Sequence, residues 1–434
     1  MFPKFLKLIY NFIMRKFELF ENRSEILIFL TVIISIFILN LGYEWVKFKE
    51  FKSSKFHFLD AKVEHSYLKT KNSKTYRVLK LDSGEFSFYT TTKKDANISR
   101  YDRLNLGVVT SSISYKDWLK KRFYLPSFKI KKLKPKPNFK QNIINFIDSQ
   151  HSSDKIKELY VTLYLATPIS KELRDDVTKW GIAHVVSISG FHLGIIFGVI
   201  FLTITPIYRY FQRRFFPYRS SYFDISIFAF CLMVFYLFLL DFTPSFLRSL
   251  VMAFIGFLFL IKNIRILSFY TLFLTILLSV SFIPHLLFSI GFYFSCLGVF
   301  YIYLYAHHFG EIKYTKFNII THAILLNLYV YFAMNIPVYH FFHTLAFSQI
   351  AVIPIGYIFV IFYPVSILLH IFGVGNLMDG MLLEFLNYEI STFQTQIPAP
   401  LFYIMNLLLL PAIRYKFIAL FLAFIGILPL FFIV

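Results

Sequence analysis

From Gly181 onward, apolar residues run in long blocks parted by short polar breaks, whereas residues 43 to 180 mix polar and apolar positions closely. A helix needs about 20 apolar residues to cross a bilayer. The pattern predicts spans at roughly 25–42, 182–206, 223–242, 244–261, 266–283, 286–306, 317–335, 343–373, 398–413 and 417–434. One block is too long for a single crossing. Thirty-one helical residues at 343–373 reach about 46 Å against a hydrocarbon core of about 30 Å. Pro354, Gly356 and Pro364 interrupt it, so it is expected to form a hairpin of two short or broken helices. About ten transmembrane helices result.

Between the first span and the rest, the period changes. FHFLDAKVEH, TYRVLKLDS, EFSFYTTT and RLNLGVVTSS are short segments rich in β-branched and aromatic residues, which reads as strands. Asp82-Ser83-Gly84 offers a tight turn and Asp95 to Ser99 a looser one. The expected fold class is a polytopic α-helical membrane protein with an inserted small β-rich, OB-like extracytoplasmic domain; strand spacing alone leaves barrel and sandwich open. The domains read as a basic interfacial segment at 1–24, a first span at 25–42 and the β-rich domain at 43–137. The basic stretch KIKKLKPKPN at 129–138 reads as a linker. A polar helical connector at 138–180 and a transmembrane domain at 181–434 follow.

Composition agrees: only 16% of residues are charged and 57% are hydrophobic, against about 25% charged in soluble domains. Net charge is nonetheless +21. Residues 43 to 137 hold 23 Lys and Arg against 9 Asp and Glu, so two thirds of the excess sits on the β-rich domain. A surface of this kind suits anionic lipid or a polyanionic partner. Elsewhere Arg209, Arg213, Arg214 and Arg219 crowd one loop, Lys262 and Arg265 a second, Lys313 and Lys316 a third. Short basic loops stay in the cytoplasm, which puts the β-rich domain outside; with the hairpin, Arg414 and Lys416 also fall inside. Cys231 and Cys296 lie in apolar runs, so no disulfide framework is expected.

Candidate chemistry concentrates where the membrane domain begins. VVSISGFHLG at 185–194 offers serines, glycines and a histidine at the head of a span. The nucleophile elbow G-x-S-x-G is absent around Ser189. His184 and His192 lie about 80° off a common helix face, with no carboxylate beside them, so neither a metal nor a catalytic residue is expected. Gly190, Gly194 and Gly198 make a small-residue stripe suited to helix packing. His184, Ser187, Ser189 and His192 need a polar environment on their side. Asp241 and Arg248 form a second polar set and Ser289 and Ser295 a third; an intramembrane arginine marks a functional site by default. The three sets predict a polar path through a helical bundle. No phosphate-cradling G-x-x-x-x-G-K-[ST] loop occurs.

GIAHVVSISGFHLG resembles the signature of the ComEC family of competence proteins, the inner-membrane channel for DNA uptake. Gly181, His184, Ile188, Ser189, Gly190, His192 and Gly194 match it, and Ser187 stands where alanine is usual. The lead-in ATPISKELRDDVTKW is similar, without its usual glycine. SFLRSLVM resembles the family's Arg-containing segment at Arg248 and Met252. FSIGFYFSCLGV resembles a later segment at Ser289, Gly291, Phe292 and Ser295, and AFSQIAVIPI one ending at Pro354. YDRLNLGVVTSS and YKDWLKKRFYLPSF resemble the end of the family's OB-like domain. No H-x-H-x-D-H motif occurs, so the reading is of a short form without the metallo-β-lactamase-like domain. Degradation of the second strand would then fall to another protein.

The resemblance implies a channel for single-stranded DNA in the cytoplasmic membrane during natural transformation, with no cofactor. The path would be lined by His184, Ser187, Ser189, Gly190, His192, Asp241, Arg248, Ser289 and Ser295. Lys69, Lys71, Lys74, Lys93, Lys94 and Arg100 would contact phosphates, with Tyr76 and Tyr89 to stack bases. Implied partners are single-stranded DNA, membrane lipid and other competence proteins: a DNA receptor and a separate nuclease or helicase. Self-association, energy source and strand polarity stay open. The alternatives are a secondary transporter of a small anion, for which inverted repeats would speak and none is seen, and an intramembrane hydrolase.

Overall fold

The computed structural model describes residues 22–71, 74–134, 139–262, 268–310 and 315–431. Residues 1–21 of the N-terminal interfacial segment and the loop charges Arg265 and Lys313 lie outside these residues, as do the side chains of Lys71 and Lys316. Contacts divide the chain into two units. One holds the first helix, the β-sheet and Leu277–Ile290; the other holds Phe146–Ile276 and the chain from Gly291 onward.

In the first unit, α1 (Arg23–Ser53) runs eleven residues past the expected span. Its continuation YEWVKFKEFKS lacks Gly and Pro, so nothing stops the helix until Ser54 turns extended. Phe48 and Phe51 on this continuation are buried in the core of the sheet. The sheet contains β1 (Phe56–Lys71), β2 (Lys74–Asp82), β3 (Ser87–Thr92), β4 (Arg103–Val109), β5 (Arg122–Tyr124) and β6 (Ser127–Leu133). Strand order is β5-β3-β2-β1-β4-β6, with β3 and β5 parallel and the other pairs antiparallel.

β1 serves both neighbours, with residues 56–62 paired to β4 and residues 62–71 to β2, and a bulge falls between Val63 and His65. Gly84, at φ 88°, makes the β2–β3 turn. Only Leu125 and Pro126 separate β5 from β6, so the chain steps from one sheet edge to the other. The amide of Leu125 donates to the Tyr89 carbonyl (2.8 Å), and that of Val109 to the Pro126 carbonyl (3.0 Å). Thr90 Oγ1 donates to Ser127 Oγ at 2.6 Å. The sheet thereby closes around Val63, Leu79, Leu81, Phe88, Leu104, Leu106, Val108 and Trp118. The stretch expected as a basic linker thus contributes residues 129–133 to β6, a correction to the reading of 129–138.

Trp118 comes from α2 (Tyr115–Lys120), capped by Ser114 accepting from the Asp117 amide. The turn is fastened to α1: Trp118 Nε1 and Lys121 Nζ both donate to Glu44 Oε2, at 2.8 and 2.7 Å. Tyr115 donates to the Leu41 carbonyl at 2.9 Å.

Three polar helices follow: α3 (Phe139–Asp148), α4 (Asp154–Leu165) and α5 (Lys171–Lys179). After them come α6 (Ala183–Val186), α7 (Gly190–Phe215), α8 (Ser221–Leu239), α9 (Pro244–Ile261), α10 (Phe269–Phe282), α11 (Ile290–Phe309), α12 (Lys316–Phe341), α13 (Val352–Ile371), α14 (Asp379–Asn387), α15 (Ala399–Ala412) and α16 (Lys416–Ile425). Seven described helices are long and apolar enough to cross a membrane; Phe269–Phe282, Ala399–Ala412 and Lys416–Phe431 are apolar but shorter. One core joins α7, α8 and α9 around Ile188, Ala229, Met233 and Phe246. Another joins α11, α12, α15 and α16 around Tyr301, Leu304, Ala333, Met405 and Leu422.

The expected hairpin at 343–373 does not form. Thr344–Leu345 pairs with Phe393–Gln394, a 3-10 turn spans Phe347–Ala351, and α13 then runs unbroken. Pro354 falls in its first turn, where a missing N–H costs nothing. Both ends of this region are tied to the polar connector. Gln349 Nε2 donates to the Thr178 carbonyl (3.0 Å) and Ser348 Oγ to the Lys179 carbonyl (2.5 Å). At the far end, Gln150 Nε2 donates to the His370 carbonyl (3.0 Å), and Gln150 Oε1 accepts from the Gly375 amide (2.9 Å).

Candidate functional site

The chain leaves helical geometry between α6 and α7, with Ser187 and Ser189 extended. Ser189 is the N-cap of α7: its Oγ accepts from the Phe191 amide at 3.3 Å, and its own amide donates to His192 Nδ1 at 3.3 Å. His192 thus fills the place that Glu or Gln takes in a capping box. With Nδ1 accepting, the neutral ring carries its proton on Nε2. His192 is fully buried, and its Nε2 has no hydrogen-bond partner among the described residues. The ring instead meets Tyr363 edge-on at 4.9 Å. Ser189 does not pair its hydroxyl with a histidine base.

Arg248, on α9, is only 4% exposed. Its Nε donates to Ser295 Oγ (2.6 Å), Nη2 to Ser249 Oγ (2.8 Å), and Nη1 contacts Met252 Sδ (3.3 Å). Ser245 Oγ also donates to Ser295 Oγ at 3.2 Å. All these partners are neutral. Asp241, grouped with Arg248 in the sequence as one polar set, sits exposed at a left-handed turn (φ 51°) and is not among the hydrogen-bond partners of Arg248.

Gly190 presses directly against this cluster: a Cβ there would lie 2.6 Å from Ser249 Oγ and 3.5 Å from Arg248 Nη2. Gly181, at φ 71°, leaves room for Gln349, whose carbonyl a Cβ would meet at 2.7 Å. The segments 181–194, 245–252, 295 and 346–354, far apart in sequence, therefore meet pairwise. Gly194 and Gly198 behave differently from the expected packing stripe, since nothing stands within 4 Å of a Cβ built at either. His184 and Ser187 are exposed on the same stretch. Ser289, half-buried, belongs to the unit that contains the sheet.

On that sheet, Lys69 lies opposite Tyr76, Lys80 opposite Tyr89, and Tyr89 opposite Tyr124. Alternation puts Tyr76 and Tyr89 on the face away from Leu79 and Leu81. Lys69, Lys74, Lys93 and Lys94 are exposed, and Arg100 is half-buried over the Tyr101 ring at 4.9 Å.

A cluster missed in the sequence joins the connector to α13 and α14. His151 Nδ1 meets both oxygens of Asp379 at 2.9 Å, and its Nε2 meets His370 Nε2 at 2.9 Å. More than 200 residues separate His151 from its partners, so no local signal announces them. Nearby, Lys155 holds Asp176 (2.5 Å), Glu172 (3.2 Å) and Asn387 Oδ1 (2.6 Å). Burial works against its ammonium, and the hydrogen bonds to Asp176 and Glu172 outweigh burial, raising its pKa. No group of three His, Cys, Asp or Glu among the described residues is placed to hold a metal.

Long apolar helices bearing a buried polar centre, with a closed sheet carried on the first of them, define a multi-pass membrane protein. The family model described as Competence protein matches residues 166–434, more than half of the chain. The chain belongs to the ComEC family of competence proteins. The match begins within the connector and leaves out the sheet. No curated protein and no solved structure matches the chain.

Proposed function

We propose that the chain conducts single-stranded DNA across the cytoplasmic membrane during natural transformation, passing it beside the break at Ser187–Ser189 and the Arg248 cluster. Family membership already ties the chain to competence and DNA uptake. What supports the finer reading is Arg248: a buried guanidinium whose partners among the described residues are all neutral. Burying an ion without a counter-charge costs several kcal/mol. Such a cost is recovered when the site takes up an anion, and a phosphate backbone delivers one anion per nucleotide. The serine hydroxyls and the helix break supply further polar groups for a watery path.

The sheet would hold the incoming strand. Its strand order, its parallel β3–β5 pair and its closure support the OB-like reading, and the Tyr76 and Tyr89 face beside Lys69 suits bases and phosphates. A DNA receptor and a separate nuclease or helicase would complete the machine.

The test replaces Arg248 by Gln in the intact chain and measures transformation and the membrane level of the protein. Loss of about tenfold or more at an unchanged level is expected, as for a lost charge-assisted contact. A photoreactive residue at position 249 should also crosslink to DNA caught in transit. Normal transformation in Arg248→Gln, with no crosslink, would sink the reading. Unaltered transformation in a strain lacking the gene would favour a small-anion transporter instead.

A further inference from the structure

The hydrogens of the His151 cluster can be placed by elimination. His370 Nδ1 lies 2.7 Å from the Ser366 carbonyl, which only accepts, so Nδ1 carries a proton. Tyr164 also reaches that nitrogen (3.3 Å), but its hydroxyl hydrogen goes to Ser366 Oγ (2.8 Å), and the Ser366 hydroxyl goes to the Tyr363 carbonyl (2.8 Å). His151 Nδ1 faces the Asp379 carboxylate, so with the carboxylate ionised it too donates. Between the rings, Nε2 faces Nε2 at 2.9 Å, a separation that demands one hydrogen. With Asp379 ionised, the two imidazoles would share three N–H protons, one more than two neutral rings hold. Asp379 balances the extra charge.

We propose that Asp379, His151 and His370 form a proton-binding site, and that its occupancy docks the start of α14 on the connector. The ligand is a proton. The three groups stand in series through both nitrogens of His151, so their lone pairs do not converge as metal ligands would.

In release, the His151 Nδ1 proton passes to an Asp379 oxygen and from there to water, which Asp379 reaches at 17% exposure. His151 keeps its Nε2 proton and becomes neutral. Its Nδ1 lone pair then opposes a carboxylate across 2.9 Å, two acceptors without a hydrogen, and the contact opens. Uptake reverses the sequence.

Among the described residues, the other titratable groups packed on the two rings are phenols. Tyr160 stacks on His151 with centroids 4.8 Å apart and meets His370 at 4.5 Å; Tyr164 meets His370 at 5.2 Å. Burial pushes both phenols well above their ordinary range, and the Asp379 charge adds to this for Tyr160. They stay protonated and frame the site without emptying it. Gly375 completes the fit, since a Cβ there would stand 2.8 Å from His370 Nε2.

The test uses the full chain in lipid nanodiscs with histidine labelled by nitrogen-15. At acidic pH, a nitrogen–nitrogen coupling across the hydrogen bond is expected between the two Nε2 atoms, lost in His370→Gln. Measured relative to the intrinsic base-catalysed rate at each pH, the protection of the α14 amides should fall about tenfold as the pH rises, whereas in the isosteric Asp379→Asn it should not change with pH. Absence of the coupling in the unsubstituted chain, or an equal pH response in Asp379→Asn, would overturn the proposal. No DNA enters the measurement, so its outcome is separate from that of the channel reading.

Discussion

At Gly190 one hydrogen atom is all the space permits. A methyl group there would stand 2.6 Å from Ser249 Oγ and so push that oxygen and, through it, the guanidinium of Arg248. Overpacking of this kind costs about 1–3 kcal/mol. Gly190→Ala should therefore lower both the thermal stability and the transformation rate of the intact chain. Adding Ser249→Gly, which removes the obstructing hydroxymethyl, should restore the stability but not the Arg248 contact, so transformation should stay low. Equal recovery of both would show that Ser249 only fills space. Arg248 was visible in the sequence as a charge inside a span, but its company of serines was not. Ser189 and His192 were visible as a polar pair, yet their role as a helix cap needed the extended backbone at Ser189.

Four of the six strands could be read from β-branched and aromatic runs. The two that escaped are short or basic: β5 has three residues, and KIKKL in β6 looks like a solvated linker until β4 is seen beside it. Pairing across the closed sheet, not local composition, makes them strands. The same closure gives β2 and β3 a second face on which Tyr76 lies opposite Lys69 and Tyr89 opposite Lys80. Aromatic stacking contributes about 1–3 kcal/mol per base. The Tyr76→Ala, Tyr89→Ala double variant of the detergent-solubilised chain should bind oligodeoxythymidine at least about tenfold more weakly. Lys69→Gln should instead flatten the salt dependence of binding by about 0.7 in the log–log slope. Unchanged affinity in the tyrosine double variant would move the strand to another face.

Across the whole molecule, the long apolar block at 343–373 misled because hydropathy reports length and not direction. Residues 348–349 bond Thr178 and Lys179, and residues 370–379 bond Gln150 and His151. A helix whose two ends share one polar connector need not carry the chain across. Counted without α13 as a crossing, the basic loops around Arg213 and Arg414 still fall on one side, which the positive-inside rule predicts to be the cytoplasmic one. In a background lacking Cys231 and Cys296, a membrane-impermeant thiol reagent applied to intact cells should label Lys94→Cys and Ser391→Cys. It should spare Tyr218→Cys and Tyr415→Cys until the cells are opened. Labelling of Tyr415→Cys in intact cells would make α13 a true crossing.

Because α1 passes from apolar sequence into the core of the sheet without leaving helical geometry, the sheet is keyed to its membrane anchor in phase as well as in height. Each residue added to or removed from that shaft would turn Phe48 and Phe51 by about 100° and shift them by about 1.5 Å. A flexible tether would forgive changes of length; a keyed shaft tolerates only those that complete whole turns.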